Sequence, residues 1–313
     1  MRTTTKTTPV LAALAGLSLI LAGCATTADN EEPDLYGDLY DGESTAAYGT
    51  AFPVSSPEEA YRNGDAAARS GDFDRALFEY IRGLRLEDDP PANILYKIGS
   101  IHHERANHPL ADIAYRWALE VEPGHPDAGT GLGIMLFQQR KYSEAEAQLR
   151  PIARSEDATW RTHNTLGILA DLREQFGQAE REYNRALELA PGHHVILNNL
   201  GYSRYLAGDL QKARGALRQA LRSNPDYEMA WRNLGLVLTR IGDYDEAVEA
   251  FARNGSRAEA YNDIGYVRML EGDYAGAADF FEEAKRLSPS FYVTANENAR
   301  QAKRQMRRHA GAQ

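Results

Sequence analysis

The sequence predicts an all-α protein, a solenoid of about seven helix-turn-helix units closed by a C-terminal helix, and three periodic features predict it. Gly99, Gly133, Gly167, Gly201 and Gly235 stand 34 residues apart. Twelve residues after each comes an alanine (Ala111, Ala145, Ala179, Ala213, Ala247), and sixteen after each a large apolar residue (Tyr115, Leu149, Tyr183, Leu217, Phe251). Pro123, Pro191 and Pro225 follow three of the glycines at a distance of 24. Gly64 with Ala76, Tyr80 and Gly83 opens the series one residue out of phase, and Gly265 with Ala277, Phe281, Ala284 and Pro289 closes it after 30 residues. A fixed period of this length is the mark of stacked helical pairs, none of which buries its apolar stripe alone.

In chain order, residues 1–23 come first. Arg2 and Lys6 precede an apolar run from Pro9 to Leu21, followed by the small residues Ala22 and Gly23. The run falls short of the ~20 apolar residues a membrane-spanning helix requires, so it reads as a cleaved signal peptide. Leu21-Ala22-Gly23-Cys24 resembles a bacterial lipobox, and Cys24 is the only cysteine of the chain. That resemblance implies a thiol carrying covalent lipid, with no other cofactor expected, and stable anchorage through more than one acyl chain. No aspartate follows the cysteine (Ala25, Thr26, Thr27), which by the same resemblance implies the outer membrane, periplasmic face. The lack of further thiols suits an oxidising compartment.

Residues 24–56 read as a disordered acidic tether. From Ala25 to Ser56 there are seven acids, no lysine or arginine, and no apolar periodicity. Its mean reach as a coil is ~30 Å, and Tyr36, Tyr40 and Tyr48 are candidates for a short docking segment within it. Without residues 1–23 the chain keeps 33 basic against 45 acidic residues, a net charge of −12. That balance argues against nucleic acid and against any membrane contact beyond the lipid.

Residues 57–290 carry the repeats. In Leu197–Asp226, Leu197, Leu200 and Gly201 line a first helix, Gly208-Asp209 turns the chain, Ala213, Leu217 and Ala220 line a second, and Pro225 stops it. Glycine, alanine, aromatic and proline at these offsets resemble the tetratricopeptide repeat, which implies a right-handed superhelix with the glycine and alanine where paired backbones come closest. Two departures stand out. Pro151 falls within a second helix, where a kink is expected, and the sixth repeat lacks four residues near Asn254-Gly255-Ser256. Residues 291–313 are alanine-rich, with Arg300, Lys303, Arg304, Arg307 and Arg308, and read as a capping helix with a basic tail.

No catalytic constellation emerges, and an enzyme is not expected. The glycines of Gly129–Met135 are mis-spaced for a dinucleotide loop and have no preceding strand. His102-His103 and His193-His194 are adjacent pairs without zinc-binding spacing, so no metal site is expected. There is no Gly-x-Ser-x-Gly elbow. A binding protein remains, with no small-molecule substrate.

The repeat resemblance implies a groove lined by the first helix of each unit, at positions three before, one after and four after the glycine. For repeats four to seven these are Asn164, Asn198, Arg232 and Asn262; Ile168, Tyr202, Leu236 and Tyr266; Asp171, Tyr205, Thr239 and Met269. Asparagine amides suit an extended peptide's backbone, and tyrosine gives rigid contact area. A carboxylate clamp needs lysine where Asn164 or Asn198 stands, so that ligand class is not expected. Residues 197–209 and 261–298 resemble the repeat lipoprotein of tight-adherence (Tad, Flp-type) pilus systems, which implies a periplasmic scaffold assisting a secretin or another pilus component. The alternative is an adaptor bringing a protease or peptidoglycan hydrolase to its substrate.

Overall fold

The computed structural model describes residues 36–40, 54–253, 255–288 and 292–310. The signal peptide, Cys24 and the rest of the tether, Tyr48 included, lie outside the described residues, as do 311–313 of the tail. Among the described residues there are fifteen α-helices and one 3-10 turn, with no strand. Seven helical pairs follow one another: α1 (Pro57–Arg69) with α2 (Phe73–Leu84), α3 (Ala92–Glu104) with α4 (His108–Val121), α5 (Pro126–Gln138) with α6 (Tyr142–Ile152), and α7 (Trp160–Asp171) with α8 (Phe176–Leu189). Then come α9 (His194–Leu206) with α10 (Leu210–Ser223), α11 (Glu228–Ile241) with α12 (Tyr244–Ala252), α13 (Arg257–Leu270) with α14 (Tyr274–Leu287), and a final helix, α15 (Val293–Ala310).

Each repeat glycine makes room for the large residue sixteen positions later. A Cβ added at Gly99 would lie 2.7 Å from the Tyr115 ring, at Gly201 2.6 Å from Leu217, and at Gly235 2.8 Å from Phe251. The alanines twelve positions after the glycine, Ala76 to Ala277, are all fully buried. Small side chains are therefore a steric condition of the pairing. Seven residues after every repeat glycine the chain turns through positive φ, at Gly71, Ala106, Arg140, Glu174, Gly208, Gly242 and Gly272. The next N–H then bonds back to a carbonyl five residues earlier (Asp72 to Ala67, Asp209 to Arg204, Asp243 to Leu238), closing the first helix of the pair in a left-handed cap. Asp72, Asn107 and Asp273 accept from N–H groups of the helix that follows.

From α3 onward each odd-numbered helix touches the next odd-numbered helix, while even-numbered helices meet chiefly their neighbours in sequence. The odd helices thus form the inner face of the superhelix. α15 covers α14 with Ala295, Ala299 and Ala302 buried, and its arginines face outward.

Three local expectations need revision. Pro151 does not kink a full-length helix. It stands in the last turn of α6, which ends at Ile152 after 11 residues where α4, α8 and α10 run 14. The shortening of repeat six falls on α12, which ends at Ala252 after 9 residues where α4, α8 and α10 run 14. Tyr36–Tyr40, expected as solvated tether, forms a 3-10 turn packed on the first two repeats, because Leu39 and Tyr36 have an apolar cluster to enter.

Candidate functional site

The asparagines expected to face a ligand are occupied with one another. Asn164, Asn198 and Asn262 are buried. Asn199 donates to Asn164 at 3.0 Å, Asn233 to Asn198 at 2.9 Å, and Asn298 to Asn262 at 3.0 Å. Each bond joins the residue three before one repeat glycine to a residue on the next inner helix. Arg232 occupies the same place in repeat six, and its counterpart is Asp263. Burial holds the Asp263 carboxyl above its ordinary value, and the Arg232 guanidinium only partly offsets this. Amide bonds therefore join α7 to α9, α9 to α11 and α13 to α15, with only the opposite charges of Arg232 and Asp263 at the α11–α13 step, and these amides are occupied within the protein. The sequence signal for it is the adjacent polar pair on each inner helix: Asn198-Asn199, Arg232-Asn233, Asn262-Asp263.

The remaining candidates are divided. Tyr202 and Tyr266 are exposed on the inner helices. Tyr202 stacks on Tyr205 with ring centres 5.9 Å apart, and Arg240 lies over the Tyr205 ring at 5.1 Å while pairing with Glu271 at 2.9 Å. Leu236 is half-buried and packs against the core of repeats five to seven. Arg232 is exposed and lines a pocket of about 370 Å³ with Met229, Phe251, Glu259, Asp263 and Tyr292. That pocket lies beside the shortened α12.

The wider groove lies at the other end of the inner face. Two hollows of about 440 and 620 Å³ share Tyr96, Ser100 and Glu104, and together run from α1 to the start of α7. Their walls include the same register positions in repeats one to three: Asp65, Ala68, Tyr96, Ser100, His103, Thr130 and Ile134. Serine, alanine and threonine leave space there, and no amide pair closes it. Thr130 bonds instead to Thr162 at 2.8 Å. Lys97 reaches Asp65 at 2.6 Å and the Tyr80 hydroxyl donates to the same carboxylate at 2.7 Å. Burial works to raise the Asp65 carboxyl, but the bonds from Lys97 and Tyr80 hold it below its ordinary value.

The deeper groove side is aromatic. Tyr96 stacks on Tyr115 at 6.2 Å, and His103 meets Tyr115 edge-on at 6.1 Å while bonding Gln138 at 2.6 Å. Burial pushes the Tyr96 and Tyr115 hydroxyls up, so both stay neutral donors. Asp65, Glu104 and Asp127 are matched by Arg69, Lys97 and Arg161 along the lining. Such a groove, aromatic at the side and balanced in charge, suits an extended polypeptide with mixed side chains. This segment was missed because the asparagine row drew attention to repeats four to seven.

Among the described residues no group of His, Cys, Asp and Glu is arranged to hold a metal ion. Gly129, Gly131 and Gly133 all lie on α5, where side chains of Ile152, Tyr115 and Leu149 approach them.

Comparison with known proteins bears on the repeats. The family model described as tetratricopeptide repeat matches residues 107–158, 164–228, 198–254 and 249–290, together more than half of the chain. A tetratricopeptide repeat-containing protein of Caenorhabditis elegans, trd-1, is 29% identical over 126 residues, 40% of this chain and 16% of that protein. Protein FlbA of Caulobacter vibrioides is 26% identical over 162 residues, 50% of this chain and 27% of its own length. The matched region thus spans about a quarter or less of these relatives. Among solved structures, PilF of Pseudomonas aeruginosa covers 66% of this chain and 95% of its own at 21% identity, with a TM-score of 0.52. A repeat protein from Parabacteroides merdae covers 79% and 98% at 14% identity, with a TM-score of 0.54. These two share the fold.

Proposed function

The chain belongs to the tetratricopeptide repeat family, and on that premise we propose that it is a lipid-anchored periplasmic scaffold of the outer membrane that assists assembly of a tight-adherence-type pilus. It holds an extended segment of a protein partner in the inner groove of repeats one to four. A repeat scaffold of this family serves protein–protein interaction, and the observation that supports the placement is the pair of adjoining hollows that share Tyr96, Ser100 and Glu104. Their lining offers aromatic contact area and hydrogen-bond donors, which supports binding of a polypeptide.

The anchor rests on the sequence: a basic start, a short apolar run and Leu21-Ala22-Gly23-Cys24. Replacing Cys24 with serine is expected to release the protein from the outer-membrane fraction, and retention there would remove the lipoprotein reading. The pilus setting rests on the resemblance of residues 197–209 and 261–298. A photo-crosslinking side chain at position 100, used in intact envelopes, tests it. Attachment to a secretin or another pilus component supports this function, whereas a protease or peptidoglycan hydrolase would replace it with the adaptor.

A further inference from the structure

Residues 34–42 read Asp-Leu-Tyr-Gly-Asp-Leu-Tyr-Asp-Gly, so the triplet Asp-Leu-Tyr occurs twice, four residues apart. Within it, Leu39 N–H bonds the Tyr36 carbonyl at 3.0 Å and Tyr40 N–H bonds the Gly37 carbonyl at 3.1 Å. A 3-10 turn eclipses residues three apart, so Tyr36 and Leu39 face the same way. What they face is built from the end of α2, α3 and α4. Leu39 is 1% exposed, in the same apolar cluster as Leu84, Ile98 and Ala114. Tyr36 lies flat on Trp117, with ring centres 5.2 Å apart and 6° between planes. The wholly buried His102 places its Nε2 2.9 Å from the Leu39 carbonyl oxygen.

An aliphatic socket, an aromatic platform and a buried group that reads a backbone carbonyl are the parts of a peptide-binding site. They belong to repeat two alone. Three residues after the other repeat glycines stand Ala67, Leu136, Ala170, Arg204, Leu238 and Arg268 in place of His102, and the positions corresponding to Trp117 hold no other aromatic. None of Leu39, Tyr36, His102 or Trp117 lines the inner groove.

We propose that α3, α4 and the end of α2 form a second peptide site, specific for a short Leu-Tyr turn, whose resting occupant is the chain's own Tyr36–Tyr40. The occupant is exchangeable. It lies outside every repeat, and the gain from burying one leucine and one tyrosine is of the same order as the cost of ordering five residues. Under the lipoprotein reading, on which this consequence alone rests, occupancy leaves twelve residues from Cys24 to Leu35 as the leash between lipid and solenoid.

The test uses a fluorescent peptide of residues 34–42 and the full chain. The Leu39→Asp chain, whose site is vacated, is expected to bind the peptide at least tenfold more tightly than wild type. A peptide carrying Leu39→Ala is expected to lose binding, and one carrying Leu35→Ala to keep it. Amide exchange at Leu39 and Tyr40 is expected to be slower in wild type than in Leu39→Asp, with the repeats melting alike in both. Equal peptide binding by the two chains, or equally fast exchange at these two positions, overturns the proposal. Neither readout depends on lipidation, so failure of the anchor would appear separately, in fractionation.

Discussion

On the inner helices of repeats five to seven the two residues that precede the repeat glycine by three and two are both polar and of complementary reach: Asn198-Asn199, Arg232-Asn233, Asn262-Asp263. Their side chains bond α7 to α9, α9 to α11 and α13 to α15, and the charges of Arg232 and Asp263 face the remaining step. In repeats one to three the same positions hold Tyr61-Arg62, Tyr96-Lys97 and Thr130-Gly131. The inner helices there are joined by Lys97 to Asp65 and Thr130 to Thr162 rather than by amide pairs, and the hollows of about 440 and 620 Å³ remain. One register therefore yields an internally satisfied surface at one end and an open one at the other. A polar residue on the concave side of a solenoid is a ligand candidate only after its neighbours one repeat away have been ruled out as partners.

The contrast concerns the lining and not the frame, and the largest expected effect tests that. Gly99→Leu and Gly201→Leu each drive a large side chain into the helix that pairs with it, Tyr115 or Leu217, and each is expected to cost about 3 kcal/mol. Comparable losses by thermal melting would show that both halves share one frame. A mild effect at Gly99 would mean the open half is loosely paired.

Next come the amide bonds. Asn198→Ala strips partners from the buried amide of Asn233 and the half-buried amide of Asn199 and is expected to cost about 1–3 kcal/mol. Ser100→Ala, at a partly exposed groove position, is expected to stay within ~0.5 kcal/mol. Equal melting temperatures would contradict that bonding.

The turns differ along the chain as well. Gly208 has φ +83°, with nothing near a Cβ placed there, so Gly208→Ala is expected to cost about 1 kcal/mol through backbone strain alone. Ala106, Arg140 and Glu174 already bear that strain at φ 58°, 61° and 57°. Ala106→Gly is expected to gain about 0.5 kcal/mol, the relief of strain being partly offset by the freer unfolded chain.

Two carboxylates sharpen the comparison by sign. Asp65, held low by Lys97 and Tyr80 against the opposing effect of burial, adds stability above its unfolded value of about 3.9, and this is lost as pH falls through the folded value. Asp171 is raised by burial, only partly offset by Ser203 at 2.6 Å and Tyr183 at 2.7 Å, so it costs stability once pH rises past its folded value. Between pH 3 and pH 6 the gain in melting temperature is expected to be smaller than wild type in Asp65→Asn and larger in Asp171→Asn.

The frame was legible because each of its rules is a local steric condition. Glycine opposite a residue sixteen later and a buried alanine at twelve hold within one helical pair. The lining was not, because whether Asn198 meets solvent or Asn233 depends on how one repeat is rotated on the next, and a single register position does not carry that rotation. Tyr36 and Tyr40 stood out as candidates for docking, but where the turn docks was not legible, for a related reason. Its acidic, aperiodic surroundings resemble solvated chain, and its two anchors find their partners, His102 and Trp117, more than sixty residues away.

The central claim, that the ligand lies at the open end, is tested most directly by partner capture with Ser100→Trp beside Tyr202→Ala, each with its melting curve. Ser100→Trp is expected to fill the groove and reduce capture at least tenfold with the melting temperature unchanged, and Tyr202→Ala to capture as wild type. Undiminished capture by Ser100→Trp, with loss in Tyr202→Ala, would place the binding surface at the amide-bonded end and contradict the account.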